Sequence, residues 1–144
     1  MTGMEGFPRL VFEVLLFALI GLGMETAFTA ATDFRTKRDK HLMGYSSLWY
    51  VPLYGFAPVF FHLAHPVIFT LPWLLRGLIY MACIYIVEFA GMGALRFLLG
   101  SSPSEAEYYQ CRWNVLGLIR LDYAPAWFSA GLLFEFIFRF FRTM

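Results

Sequence analysis

Charged residues are scarce in this sequence: they make up 15% of its 144 residues, whereas hydrophobic residues make up 60% and aromatic residues 20%. A soluble domain typically has about a quarter charged and about half apolar residues. The shortage of charge therefore argues against an ordinary soluble domain and predicts an integral membrane protein with several passes. The formal net charge is only +1, so no basic face pervades the chain and we expect no nucleic-acid partner.

Other common signatures of function are also missing. The two cysteines, Cys83 and Cys111, form neither a CxxC pair nor a disulfide framework. No G-x-x-x-x-G-K-[ST] motif occurs, and 144 residues leave no room for a nucleotide-binding domain. The sequence has no low-complexity segment and no internal repeat that aligns convincingly by itself. We therefore expect one membrane-embedded domain, residues 1–144, without an ATPase, a metal or another cofactor.

Long apolar stretches predict an all-α polytopic fold with four transmembrane helices, at about residues 7–31, 48–64, 72–99 and 126–141. The first stretch, as a helix of about 37 Å, crosses a hydrocarbon core of about 30 Å with some tilt. Pro66 is expected to end the second helix. The tryptophans fall near predicted helix ends, where an aromatic belt belongs: Trp49, Trp73, Trp113 and Trp127.

The first stretch has a rival interpretation as a cleaved signal peptide, because small residues in "FTAATD" occupy plausible cleavage positions. Two acids, Glu13 and Glu25, interrupt the apolar run, and the run is too long for the hydrophobic region of a signal peptide. We therefore interpret it as a retained helix.

The densest basic cluster is "FRTKRDKH", residues 34–41, directly after the first predicted helix. The positive-inside rule predicts that this connection faces the cytoplasm and that both termini lie on the other side. Its basic residues are also candidates for holding anionic lipid headgroups, at about 1 kcal/mol each: Arg35, Lys37, Arg38 and Lys40. We favour a purely topogenic role, because Asp33 and Asp39 dilute the charge.

Three predicted helices each carry a glutamate well inside the apolar span: Glu25, Glu88 and Glu135. A charged side chain near the bilayer centre costs at least about 2.5 to 3.5 kcal/mol, so none of these acids is expected to face lipid. A possible partner lies about one turn from each acid on the same helix: Thr29, Tyr85 and Arg139. Other candidate partners are Tyr54, Tyr80, Tyr123, Arg76, Arg96, Arg112 and Arg120. The sequence leaves open whether these groups form a binding pocket or a structural network.

The segment before the fourth predicted helix, "CRWNVLGLIRLDYAPAW", contains a short apolar run at residues 115–119. This run is too short to cross a membrane. As a re-entrant segment it would bring Arg120, Asp122 and Tyr123 into the same polar interior as the glutamates. An interfacial strand or helix is the alternative, and the length of the run favours it.

Four stretches together carry a family resemblance: "METAFTAATDF", "GYSSLWYVPLYG", "RGLIYMACIYIVEF" and "NVLGLIRLDYAPAWFSAG". They resemble the transmembrane protein 229 family, which belongs with bacterial CmpB-like membrane proteins labelled as type IV ABC transporters. The residues that match this pattern are Glu25, Phe28, Thr29, Ser47, Trp49, Tyr54, Gly55, Tyr85, Glu88, Asn114, Gly117, Ile119, Tyr123 and Trp127.

The resemblance covers most of the chain and implies a compact four-helix membrane protein, but no known activity. Two features depart from the family pattern. This chain has "YYQCRWN" where relatives resemble a Trp-Asp-Tyr-Ser sequence, and Glu13 has no match. A role for the aspartate of that motif therefore does not carry over to this chain.

Signals for catalysis are weak, and we assign no catalytic residue. His62 and His65 have a spacing that places two imidazoles on one helix face, but a metal site needs further ligands, so we interpret them as interfacial. Ser46 and Ser47 have no base at a defined spacing and are expected to cap the second helix.

The leading functional hypothesis is binding or transport of a small polar solute, an ion or a lipid headgroup. Glu25 and Glu88 would bind a cation, exchange a proton or orient a basic headgroup. The remaining candidate binding residues are Thr29, Tyr54, Tyr85, Arg120, Asp122, Tyr123 and Glu135. An accessory subunit of a larger membrane complex and an intramembrane lipid-modifying enzyme are alternatives. Membrane lipids are expected partners, and both a homo-oligomer and a larger membrane partner stay open.

Overall fold

The computed structural model describes residues 3–144, with side chains from Gly6 onward. Helices dominate it: α1 (Gly3–Lys37), α2 (Val51–Ile68), α3 (Trp73–Leu99), α4 (Glu105–Tyr109) and α5 (Ala124–Thr143), with strands β1 (Asn114–Val115) and β2 (Ile119–Arg120). Four helical segments are long and apolar enough to cross a membrane. The protein is therefore an all-α, multi-pass membrane protein, and the predicted fold class is confirmed.

The helix boundaries differ from the predicted ones mainly at the ends of the first two helices. α1 continues to Lys37, and α2 continues to Ile68. The prediction that Pro66 ends the second helix is wrong. Proline removes its own amide donor from the helical ladder and crowds the carbonyl four residues before it, but the Phe69 amide still donates to the His65 carbonyl at 3.1 Å. A proline this close to the end of a helix therefore leaves its last turn in place.

The chain divides into two compact units, Met1–Leu63 and Ala64–Met144. In the first unit, α1 approaches α2 closely at two glycines, one on each helix. A Cβ added to Gly21 would overlap the Tyr54 ring, and a Cβ added to Gly55 would press on Val14. Small residues allow helix backbones to approach closely without a hydrophobic driving force between them.

The second unit packs α3 against α5 in the same way. A Cβ on Gly77 would overlap the Phe128 ring, and a Cβ on Gly131 would overlap Tyr80. Aromatic rings thus fill the space that the two glycines leave, and the contact fixes which faces of α3 and α5 meet.

The connection between α3 and α5 folds as a short helix, a hairpin and a 3₁₀ turn. β1 pairs antiparallel with β2, with Asn114 opposite Arg120. The hairpin turn needs positive φ at Gly117, 69°, and the Asn114 side chain accepts from the Gly117 amide at 2.9 Å. Arg96 of α3 anchors this connection: it pairs with Glu105 at 2.7 Å and donates to the Leu116 carbonyl. The apolar run at residues 115–119 is therefore a hairpin.

Candidate functional site

Glu25 lies in the C-terminal half of α1, twelve residues before the helix ends at Lys37, and faces the connection that leads to α2. Its Oε2 atom accepts hydrogen bonds from the Ser46 hydroxyl at 3.1 Å and the Tyr54 hydroxyl at 3.0 Å. One turn later, the Thr29 hydroxyl accepts from the Tyr45 amide at 2.8 Å. The connection can run this close to α1 because Gly44 has no side chain. A Cβ at this position would overlap an α1 carbonyl. The structure thus brings together three predicted site residues, Glu25, Thr29 and Tyr54.

The electrostatics of Glu25 set it apart. Within the described part of the chain, no lysine, arginine or histidine nitrogen lies within 4.0 Å of its carboxylate. Both of its hydrogen bonds come from neutral hydroxyls and end on Oε2. Its Oε1 accepts none from the residues that the structure describes. A carboxylate in an apolar span that lacks a cationic partner favours taking up a proton or a positively charged group.

Glu135 of α5 is in the opposite situation. It is 4% exposed, and its oxygens accept from Arg76 Nε at 2.9 Å, the Tyr80 hydroxyl at 2.6 Å and Arg139 Nε at 2.8 Å. The predicted pairing with Arg139, four residues further along the helix, is confirmed. The guanidinium of Arg139 also stacks on the Phe69 ring, 3.9 Å from its centroid. Two cations and one hydroxyl satisfy this acid, so it has the form of a structural network that joins α3 to α5.

A fourth intramembrane acid, Glu13, was not selected from the sequence as a site residue. It is 4% exposed, and it pairs with Arg9 at 3.2 Å and His62 at 2.5 Å. The interpretation of His62 as a residue of the membrane interface did not include its contact with Glu13. The i, i+4 spacing of Arg9 and Glu13 was the available signal, since the same spacing was used for Glu135.

Glu88 of α3 belongs to an aromatic cluster that includes the connection before α5. Its Oε1 atom accepts from the Tyr108 hydroxyl at 2.8 Å. The Tyr108 ring meets the Tyr123 ring with centroids 6.1 Å apart. One turn before Glu88, the Tyr85 hydroxyl donates to the Arg120 carbonyl at 2.9 Å. Tyr85, Glu88, Arg120 and Tyr123 therefore lie in one region, as predicted for a polar interior.

Arg120 is held at the end of the hairpin by Asp122. Its guanidinium makes two hydrogen bonds to this carboxylate, at 3.1 and 2.6 Å, and a third to the Tyr123 hydroxyl at 2.9 Å. The hydrogen bond to Asp122 raises the pKa of Arg120 above its usual value, so this side chain stays charged. With three of its five N–H donors bonded to Asp122 and Tyr123, Arg120 positions the hairpin and the 3₁₀ turn at residues 121–123.

Glu88 and Glu135 have separate partners, although both lie in the second unit. The hydroxyl that binds Glu135 belongs to Tyr80, eight residues before Glu88 on α3. Eight residues of helix correspond to about 12 Å along the axis. Glu88 and Glu135 therefore bind different side chains, and a polar cavity shared by the glutamates stays a prediction.

The basic candidates for lipid headgroups, Arg35, Lys37, Arg38 and Lys40, are all exposed. Lys37 pairs with Asp33 of the same helix at 3.0 Å. The other three make no ion pair within the described residues, which suits either a topogenic or a headgroup-binding role. The orientation of this connection stays a prediction.

Across the described part of the chain, no group of three or more His, Cys, Asp or Glu residues is placed to hold a metal ion. Neither a family model nor a solved structure matches this chain. What the sequence and the described residues establish is thus a small multi-pass membrane protein with four helices able to span a membrane, in which the Glu25 carboxylate accepts hydrogen bonds from two neutral hydroxyls.

Proposed function

We propose that this protein binds a small cation, or the cationic group of a polar solute or a lipid headgroup, at Glu25. The observation that carries the proposal is the contrast between Glu25 and two other intramembrane acids, Glu13 and Glu135. Glu13 and Glu135 are each neutralised by basic side chains, whereas Glu25 has two hydroxyl donors and no basic partner among the described residues. A negative charge at this position lacks compensation from the protein, and a bound cation would supply it.

The surroundings of Glu25 suit a hard or hydrogen-bonding cation. Its carboxylate, the hydroxyls of Ser46, Tyr54 and Thr29 and the Tyr45 carbonyl all present oxygen atoms along one face of α1. Oxygen ligands are preferred by hard metal cations, and they also accept hydrogen bonds from an ammonium group. Transport would follow if such a site exchanged its ligand with both sides of the membrane.

Membership of the transmembrane protein 229 and CmpB-like group stays part of the proposal. The matched pattern includes the acid Glu25, its neighbour Thr29 and the hydroxyl donor Tyr54. These three residues meet at one place, and a shared binding function would require this.

Native mass spectrometry after gentle extraction tests the proposal. We expect wild-type protein to carry an additional bound mass, or to gain one when methylammonium or phosphatidylethanolamine is added. Glu25→Gln should lose this mass while its melting temperature stays close to that of the wild type, because glutamine can still accept from both hydroxyls. Methylammonium represents a free solute and phosphatidylethanolamine a lipid headgroup, so the two probes distinguish the two sources of an ammonium group.

Glu107→Gln is the matched control, because Glu107 is an exposed acid in the connection before α5. It should bind as the wild type does. Equal bound mass in wild type and Glu25→Gln would contradict the proposal. A second protein that co-purifies with both variants would instead support the accessory-subunit alternative.

A further inference from the structure

The two units have corresponding sequences around the start of their second long helix. A shift of 73 residues places residues 44–61 on residues 117–134 without a gap. Six of these eighteen positions are identical: Gly44 and Gly117, Leu48 and Leu121, Tyr50 and Tyr123, Pro52 and Pro125, Ala57 and Ala130, and Phe61 and Phe134. In both units a 3₁₀ turn covers the same positions, Leu48–Tyr50 and Leu121–Tyr123. The helices α2 and α5 then begin at corresponding residues.

The first long helices correspond as well, with a shift of 63 residues. This shift places Glu25 on Glu88 and Glu13 on Arg76. It also places Phe17, which is fully buried, on Tyr80, which is 3% exposed. The shift grows from 63 to 73 because the connection in the second unit is ten residues longer, and α4 lies in this longer connection.

Contacts that played no part in this alignment agree with it. Val14 meets Gly55 in the first unit, and the corresponding positions Gly77 and Phe128 meet in the second. The glycine of this contact lies on the second long helix of the first unit but on the first long helix of the second unit. The contact nevertheless joins the same two positions in both units.

The contacts between an acid and a basic side chain show the same exchange. Glu13 pairs with His62 in the first unit, and at the corresponding positions of the second unit Arg76 pairs with Glu135. The acid and the base have changed places, yet each pair still joins the first helix of its unit to the second.

We infer that the two units are tandem copies of one two-helix repeat, and that Glu88 forms a second binding site for the ligand class bound at Glu25. This inference rests on the proposed function of Glu25. It explains why an acid occurs at the same position of both repeats: each copy presents a carboxylate to its own connection.

The geometry at Glu88 resembles that at Glu25. A tyrosine hydroxyl donates to each carboxylate, Tyr54 at 3.0 Å and Tyr108 at 2.8 Å. The position that corresponds to Tyr54 holds Trp127, whose ring meets Tyr123 of the same aromatic cluster with centroids 6.2 Å apart. The Trp127 indole N–H is buried and has no hydrogen-bond partner in the described part of the protein. This N–H is a donor and cannot bond to an ammonium group, so the Glu88 carboxylate is the group that would bind the cation.

The experiment is equilibrium binding of radiolabelled methylammonium to the full-length protein in detergent. We expect two bound molecules per wild-type chain, one in Glu25→Gln, one in Glu88→Gln and none in the double variant. Tyr54→Phe and Tyr108→Phe should each weaken one of the two sites about tenfold, because each removes one hydrogen bond to a charged group. These phenylalanine variants provide the answer if Glu88→Gln does not fold.

The outcomes separate the two claims. If wild type binds one molecule and only Glu25→Gln removes it, the second site is refuted and the proposed function stands. If Glu88→Gln and Tyr108→Phe both leave stoichiometry and affinity unchanged, the second site is equally refuted. If Glu25→Gln changes nothing, the proposed function fails, and the inference fails with it.

Discussion

Replacing Glu135 by glutamine is expected to destabilise the protein strongly, because this acid compensates two arginines. Its carboxylate is 4% exposed and accepts from Arg76, Tyr80 and Arg139. Glutamine keeps the shape and one acceptor oxygen, but it removes the negative charge and one of the two acceptors. Both guanidinium groups then lose their ion pair.

The size of the loss in unfolding free energy depends on how well water can hydrate each arginine once the carboxylate is neutral. Breaking a buried ion pair by removing one partner costs about 3 to 5 kcal/mol. The Arg76 side chain is 19% exposed, so its charge stays largely desolvated, whereas Arg139 is 44% exposed and can hydrate. We therefore expect a loss near the lower end of that range, about 3 kcal/mol, most of it due to Arg76.

Reversible unfolding of the purified protein in mixed detergent micelles measures this loss. The matched variant is Glu25→Gln, which replaces an acid of the same kind held only by neutral hydroxyls, and it should cost less than about 1 kcal/mol. A loss below about 1 kcal/mol for Glu135→Gln, or equal losses for both variants, would refute the distinction between a structural and a ligand-binding acid.

Three further changes test the packing and the polar contacts, two by the same unfolding assay and one by amide hydrogen exchange. Gly131→Ala should destabilise by about 1 to 3 kcal/mol through overpacking against α3, whereas Gly23→Ala, with open space around its Cα, should be neutral or stabilise by up to about 1 kcal/mol. His62→Ala should cost about 1.5 to 3 kcal/mol because Glu13 loses a charge-assisted partner, and His62→Gln should cost less; equal costs would count against that hydrogen bond. Arg120→Lys should raise amide hydrogen exchange at residues 114–121, because lysine makes no two-fold contact with a carboxylate, and unchanged exchange would count against its anchoring role.

The fold class could be predicted because the signal is local. A run of apolar residues long enough to cross a bilayer specifies a helix by itself, and α3 ends at Leu99, the predicted residue. The end of α2 could not be placed in this way. Whether Pro66 ends a helix depends on how many residues follow it in the last turn, and composition does not specify this.

The site was predicted in part. Arg139 as a partner of Glu135 follows from helix spacing, whereas Tyr54 was only one of several tyrosines expected to donate to the glutamates. The separation of Glu88 from Glu135 depends on the register between α3 and α5, which the Gly77 and Gly131 contacts set. The contact between Glu13 and His62 was missed because a contact between residues far apart in the sequence does not change the residue spacing within either helix.

The correspondence between the two units was also beyond the sequence alone. Acid and base are exchanged between positions 13 and 76, and the small residue is exchanged between positions 14 and 77. Substitutions of this kind lower sequence identity while they preserve each contact. The contacts therefore give evidence for the equivalence of these positions beyond the six identities in the sequence.

The most direct test of the account is the rise in unfolding free energy that methylammonium produces in wild type and in Glu25→Gln. A ligand that binds only the folded protein adds about 2.7 kcal/mol per site at a hundred times its dissociation constant. We predict that Glu25→Gln, folded and otherwise stable, loses at least half of this rise. An equal rise in both proteins would contradict the claim that Glu25 binds a cationic ligand.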